Sequence, residues 1–361
     1  MSAADAFSVN YASARIRFRQ GASARGFRLE EYDIGLKSPE GESLTIDVGI
    51  LGSSEAEGVV IISSGLHGVE GFFGSAVQIA LLEKHLVGWN PPPKRALLFL
   101  HALNPYGFAW GRRCNEYNID LNRNFLLPGE EYSGSPEKYA LFNSFFNPTS
   151  PPSRFEPFLI KAIALILRYG IATLKNTLPV GQYDFPKGLF FGGKRPSKTY
   201  EILDANLPRW LGNAKNVLHI DFHTGLGKKA TYKLYTETSV DSQRYRYLVE
   251  KFGADKVKRI DSARDAYEIR GGLGKWCEAK FPQCNYIFLT AEFGTYPILT
   301  VIEALRAENR AYFWGKVDDS VCQWARKRLI EVFAPADKNW RESVVSQGVD
   351  LVQRAISACC L

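Results

Sequence analysis

Four short runs of β-forming apolar residues, three of them leading straight into ionisable groups, constrain this chain more than any other feature of its sequence. They span Gly58 to Ser64, Arg95 to Ala102, Val217 to Phe222 and Tyr286 to Ala291. Each is largely apolar rather than alternating, the pattern of a strand covered on both faces. Helical spacing follows in Phe72 to Leu86, Asp241 to Phe252, Leu299 to Arg310, Asp318 to Val332 and Asn339 to Ile356. Strands interleaved with helices predict an α/β fold: a central mixed, largely parallel sheet flanked by helices.

The three runs that meet chemistry read VVIISSGLHGVE, NVLHIDFHTG and NYIFLTAEFG. This puts His67 and Glu70, His223, and Glu292 just past the carboxyl ends of three strands, where open α/β sheets build their sites. Two imidazoles and a carboxylate with a fourth position open make a ligand set for a catalytic zinc ion. Gly65, Gly68 and Gly71 beside the first pair, and Gly225 and Gly227 after His223, permit the tight backbone such a site needs. Taken singly, HxxE suits a helix surface as well as a metal, and a strand-end histidine is commonly just hydrogen-bonded. Their joint placement is what points to a metal. His101, at the end of the second run, is the spare candidate ligand. His219 lies four strand positions before His223, roughly 13 Å back along an extended chain, too far to share its ion.

Between Asn104 and Asn216 the periodicity lapses into Pro, Gly, Asn and aromatic residues. A structureless connection of that length is improbable, so 104–216 is expected to be an ordered insertion over the active-site end of a single domain, 1–361. Residues 301–361 are expected to form a helical C-terminal extension. Within the insertion, RRCNEYNIDLNRNF contains Asn122 and Arg123, an amide and a planar donor suited to clamping a carboxylate or, equally, to capping turns. The most apolar segment, Phe155 to Leu178, is broken by Lys161, Arg168 and Gly170. It is too interrupted to span a bilayer and reads as a buried helix or a helical partner surface.

Composition excludes several classes. A chain of 361 residues, 45% hydrophobic and 23% charged, can bury a large core, which sets aside disordered and fibrous readings. The net charge of +7 admits anionic partners. Because Lys and Arg are dispersed among Asp and Glu, neither nucleic acid nor a membrane is expected as one. Six cysteines without CxxC pairing predict reduced thiols, and the lack of a basic-then-apolar leader predicts a cytoplasmic protein.

HGVE, the RxNxxxxDLNRNF segment from Arg113, DFHTG and AEFGT occur in the order and strand context of the carboxypeptidase A-like zinc metallopeptidases, which this chain resembles. It resembles more closely their bacterial branch called domain of unknown function 2817, and NPYGFAWGRR and GLFFGG add to that likeness. The resemblance runs from about Gly58 to Thr295. It implies one zinc ion held by His67, Glu70 and His223, with Asp120 hydrogen-bonded behind the first histidine. It further implies Glu292 as general base, Arg113 as oxyanion stabiliser, and Asn122 with Arg123 as the holders of a substrate carboxylate. The family's mobile tyrosine has its nearest counterpart in sequence at Tyr267, ahead of Tyr296. The expected function is zinc-dependent hydrolysis of an amide bond next to a carboxylate, of carboxypeptidase type, on a small peptide or N-acyl amino acid. The alternatives are an N-acyl amino acid deacylase like aspartoacylase or succinylglutamate desuccinylase, and a catalytically silent peptide- or carboxylate-binding protein.

Overall fold

The computed structural model describes residues 2–260 and 269–358. Its strands are β1 (Arg28–Lys37), β2 (Ser43–Gly52), β3 (Gly58–Ser64), β4 (Arg95–His101), β5 (Asn216–Lys229), β6 (Tyr232–Thr236), β7 (Val257–Arg259) and β8 (Asn285–Gly294). They form one sheet in the order β1-β2-β4-β3-β5-β8-β6-β7. The middle four strands, β4-β3-β5-β8, run parallel, and the outer pairings of β1 with β2, β2 with β4 and β6 with β8 are antiparallel. The sheet is therefore mixed and parallel at its centre, as the apolar runs predict.

Two strands are longer than predicted, and the reason bears on the site. Pairing of β3 with β5 ends at Ser64 and Phe222, but β5 and β8 stay in register through Gly225 and Gly294. His223 and Glu292 thus sit within paired strands as direct register partners, rather than beyond strand ends. The overhang is supported on its other side by β6, where Tyr232 opposes Phe293.

Both faces of the sheet are covered. On one, Ile62, Phe99, Ile220, Phe222 and Leu289 pack with the helices Gly71–Ala80 and Lys338–Ala358. On the other, Val59, Ile61, Leu98, Val217 and Phe288 pack with Lys198–Leu211 and Leu273–Lys280. The segment after Val301 is helical and belongs to the core: Trp340, fully buried, donates its indole N–H to the Gly294 carbonyl at 3.0 Å, at the end of β8. The helix Tyr11–Ala24 and strands β1 and β2 carry no counterpart in the sequence reading, because β1 is an edge strand whose half-buried alternation is filled with Glu, Asp and Lys.

The stretch 104–216 folds into short helices, Pro105–Trp110, Tyr139–Phe146, Phe158–Tyr169 and Ile171–Lys175, before the longer Lys198–Leu211. The reading of Phe155 to Leu178 as a buried helix is corrected: Phe158 and Ala162 are buried, but Leu159, Ile160, Ile163 and Leu167 face solvent. Among the described residues no helix is long and apolar enough to cross a membrane. Cys114, Cys277, Cys284 and Cys322 are buried free thiols.

Because Trp340 ties the last helix to both Phe73 and the end of β8, Trp340→Ala is expected to lower the unfolding free energy by about 3–5 kcal/mol. An unfolding free energy, measured by urea denaturation, that falls by less than a fifth of that would mean the helix is an appendage.

Candidate metal centre

The first two ligand candidates are delivered by a loop that only small residues can build. After Ser64 the chain turns through Gly65, at φ +69°, and His67 caps a single 3-10 turn, Gly68–Glu70, that runs into the helix Gly71–Ala80. Gly68 lies so close to the Gly107 backbone that a Cβ would fall 2.2 Å from its carbonyl carbon. The amides of Gly68 and Val69 donate to the carbonyls of Arg113 and Arg112 at 3.0 and 2.8 Å. The loop and the Arg112–Arg113 segment are thereby laced together.

His67, Glu70 and His223 meet, all buried. His67 Nδ1 is 2.9 Å from Glu70 Oε1, His223 Nδ1 is 3.0 Å from Glu70 Oε2, and the two Nδ1 atoms are 3.2 Å apart. The opposite nitrogen of each ring faces an acid: His67 Nε2 lies 3.0 Å from Asp120 Oδ1, and His223 Nε2 lies 2.6 Å from Asp221 Oδ2. His67 Nε2 also lies 2.8 Å from Arg113 Nη2. With the proton on Nε2, where a carboxylate accepts it, each ring turns its Nδ1 lone pair toward Glu70 and the other ring. Such a trio repels itself unless a proton or a cation lies among its atoms. Donors held about 2.0–2.1 Å from a tetrahedral zinc stand roughly 3.3 Å apart, so the donor set fits that ion. His101 is not part of it: its ring stacks on Phe18 and its Nε2 pairs with Ser75 at 2.9 Å.

Electrostatics agree with the geometry. Burial alone would raise Glu70, but His67 and His223 outweigh it and hold the carboxyl below the ordinary range. Burial would lower His223, yet Asp221 and Glu70 prevail and keep it well above its ordinary value. Asp120 stays low because Arg113 and His67 overcome its burial. Glu292 goes the other way. Burial first, and the Glu70 charge second, push it up to about 7, while its Oε1 accepts the Leu226 amide at 2.8 Å.

Arg113 lies against the trio, donating from Nη1 to Glu70 Oε1 at 2.9 Å and from Nε to Asp120 Oδ2 at 3.2 Å. Asn122 and Arg123 are nearby but spend donors and acceptors on the chain itself. Asn122 Oδ1 accepts the Leu273 amide at 3.0 Å, and Arg123, buried, donates from Nε to the Pro179 carbonyl at 3.0 Å and from Nη1 to the Asn122 carbonyl at 2.8 Å. Tyr296 donates to Glu331 Oε1 at 2.6 Å, and Tyr267 lies outside the described residues.

Sequence reasoning missed Asp221 and what stands behind it. Ser63 Oγ donates to Asp221 Oδ1 at 2.6 Å and lies 2.7 Å from His219 Nε2, whose Nδ1 is 2.9 Å from the Tyr286 hydroxyl. The signal was in the strand period: positions 219, 221 and 223 share one face of β5, and Ser63 is the register partner of Asp221 on β3.

Comparison with known proteins gives a family. The family model described as "Protein of unknown function (DUF2817)" matches residues 7–347, wider than the Gly58 to Thr295 span of the motifs. No curated protein matches in sequence. Among solved structures, the chain is similar to carboxypeptidase A from Helicoverpa armigera, with 14% identity, a TM-score of 0.47 and coverage of 90% of this chain and 74% of that one. It is also similar to bovine thrombin-activatable fibrinolysis inhibitor, with 13% identity, TM-score 0.44 and coverage of 95% and 97%. The murein-tripeptide amidase of Escherichia coli O157 gives 19% identity, TM-score 0.38 and coverage of 82% and 97%.

The raised Glu292 carboxyl makes a prediction about stability. Its folded value near 7 exceeds the ordinary 4.5, so the folded state binds the extra proton between those values and stability falls as pH rises through that window. In metal-free protein, Glu292→Gln should therefore raise the melting temperature at pH 8 relative to the parent, and do so less at pH 4.5. An equal effect at both pH values would remove the buried-acid account.

Proposed function

The chain belongs to the DUF2817 family, and from that premise we propose that it is a zinc-dependent hydrolase that cleaves an amide bond next to a carboxylate, most closely of carboxypeptidase type. The observation that carries the reading is the convergence of His67 Nδ1, His223 Nδ1 and Glu70, with an aspartate behind each histidine. Zinc bound by that set supplies a Lewis acid for the scissile carbonyl and a water acidified to a pKa of about 7.

The chain's own groups do the rest. Glu292, register partner of His223 and pushed up to about 7, is matched to take a proton from water near neutral pH and return it to the leaving amine. The Arg113 guanidinium, already beside Glu70, offers positive charge to the oxyanion that forms on attack. Asp120 and Asp221 hold the two imidazoles in the tautomer that keeps Nδ1 free of its proton. Arg123 has five N–H groups, and those not donated to the Pro179 and Asn122 carbonyls are offered, with the Asn122 amide, to a substrate carboxylate. Retention of Glu292 beside a complete ligand set speaks against the silent binding protein.

Release of C-terminal residues from a peptide library, beside hydrolysis of N-acyl amino acids, separates the peptidase from the deacylase. Activity on neither substrate class, in protein loaded with zinc, would reject both. Glu292→Gln should retain the metal and lose roughly 10²–10⁴-fold in kcat; full turnover would reject its role as base. Asp221→Asn should weaken zinc binding about 10–100-fold in a chelator competition, and unchanged affinity would break the link between that aspartate and His223. Arg123→Ala should raise KM for substrates with a free carboxylate while sparing their amides, and should also lower the melting temperature through the lost bonds to Pro179.

A further inference from the structure

The helix Phe158–Tyr169 presents a surface that neither the fold nor the candidate metal centre uses. Its inner side is fixed: Phe158 and Ala162 are buried, Phe158 stacks on Phe145 at 5.6 Å, and Leu165 and Tyr169 pack on the cluster that contains Phe142, Phe190 and Phe333. The outer side is apolar. Ile160 is 72% exposed and Leu167 82%, Leu159 and Ile163 are each at least half exposed, and Phe155 just before the helix is 94% exposed. At 100° per residue, positions 159, 160, 163 and 167 fill one continuous outward arc. Lys161 and Arg168, a heptad apart, border that arc on one side.

We propose that this face docks on an anionic lipid bilayer. Contiguous exposed apolar surface of this kind marks an interaction site, and the charge around it selects the occupant. Segment 153–178 carries Arg154, Lys161, Arg168 and Lys175 against a single acid, Glu156. That one carboxylate is shared by Lys161 at 3.1 Å, by Arg306 at 2.6 and 2.7 Å and by Arg310, so positive charge remains in excess around it. Two copies of the chain meeting on this face would bring together two segments that each carry four cations to one acid. An anionic bilayer offers an apolar medium for Ile160, Leu167 and Phe155 and negative headgroups for the bordering cations, the arrangement of an interfacial helix lying in the membrane plane. The dispersal of Lys and Arg among Asp and Glu over the whole sequence argued against a lipid partner, and this segment departs from it with four cations to one acid. The proposal is independent of the metal reading.

The test is sedimentation of the full chain with vesicles of phosphatidylcholine alone and of phosphatidylcholine mixed with phosphatidylglycerol. Binding is expected to the mixed vesicles and to weaken as salt is raised. Ile160→Ser with Leu167→Ser should lower the partition coefficient by about tenfold per substitution, and Lys161→Glu with Arg168→Glu should abolish the preference for the anionic lipid. Both variants change exposed positions, and an unchanged melting temperature checks that each is folded. No partition to the mixed vesicles, or partition that survives both variants, overturns the proposal. So does a dimer in sedimentation velocity that dissociates on Ile160→Ser with Leu167→Ser, which would assign the face to a second copy.

Discussion

Two imidazole nitrogens 3.2 Å apart, each within 3.0 Å of a different oxygen of the Glu70 carboxylate, are the constraint around which this end of the molecule is organised. Without a proton or a cation among them, these atoms repel one another. Every neighbouring feature reduces the strain or enforces it: the aspartates that occupy the far ring nitrogens, the arginine laid against Glu70, the Thr224 amide that donates to Glu70 Oε2 at 3.1 Å, and the glycine at 68 that lets two backbones close on each other. The geometry is one in which a cation would find its donors already in place, held there by the sheet beneath.

The sequence carried the centre of the sheet because β3, β4, β5 and β8 are covered on both faces and are therefore apolar without interruption. It concealed the margins. β1 alternates like an exposed ribbon, and Lys198–Leu211 contains Pro208 and several charges, so neither stood out from its surroundings. The candidate ligands were readable because an imidazole or carboxylate directly after a buried strand has few structural reasons to be there. Asp221 was not, since an aspartate inside an apolar run looks like an imperfection until the parallel register pairs it with Ser63 and the two-residue period aligns it with His223.

Arg123 illustrates a different limit. The family resemblance implied that it holds a substrate carboxylate. What the sequence could not convey is that its buried guanidinium donates to the Pro179 carbonyl, so that the residue has a packing role beside the proposed one. His219, four strand positions before His223, reaches that histidine through Ser63 and Asp221.

The aromatic cluster behind the outward helix also backs the candidate centre: the Arg113 guanidinium lies 5.4 Å from the Phe190 ring and 5.9 Å from that of Phe333, and Phe190 lies equally under Arg123 at 5.6 Å. Close-packed rings do not compress, so a push on one wall is handed to the other. The outer helix and the two guanidinium groups thus rest on one packed aromatic cluster, in which Phe190 lies under both arginines.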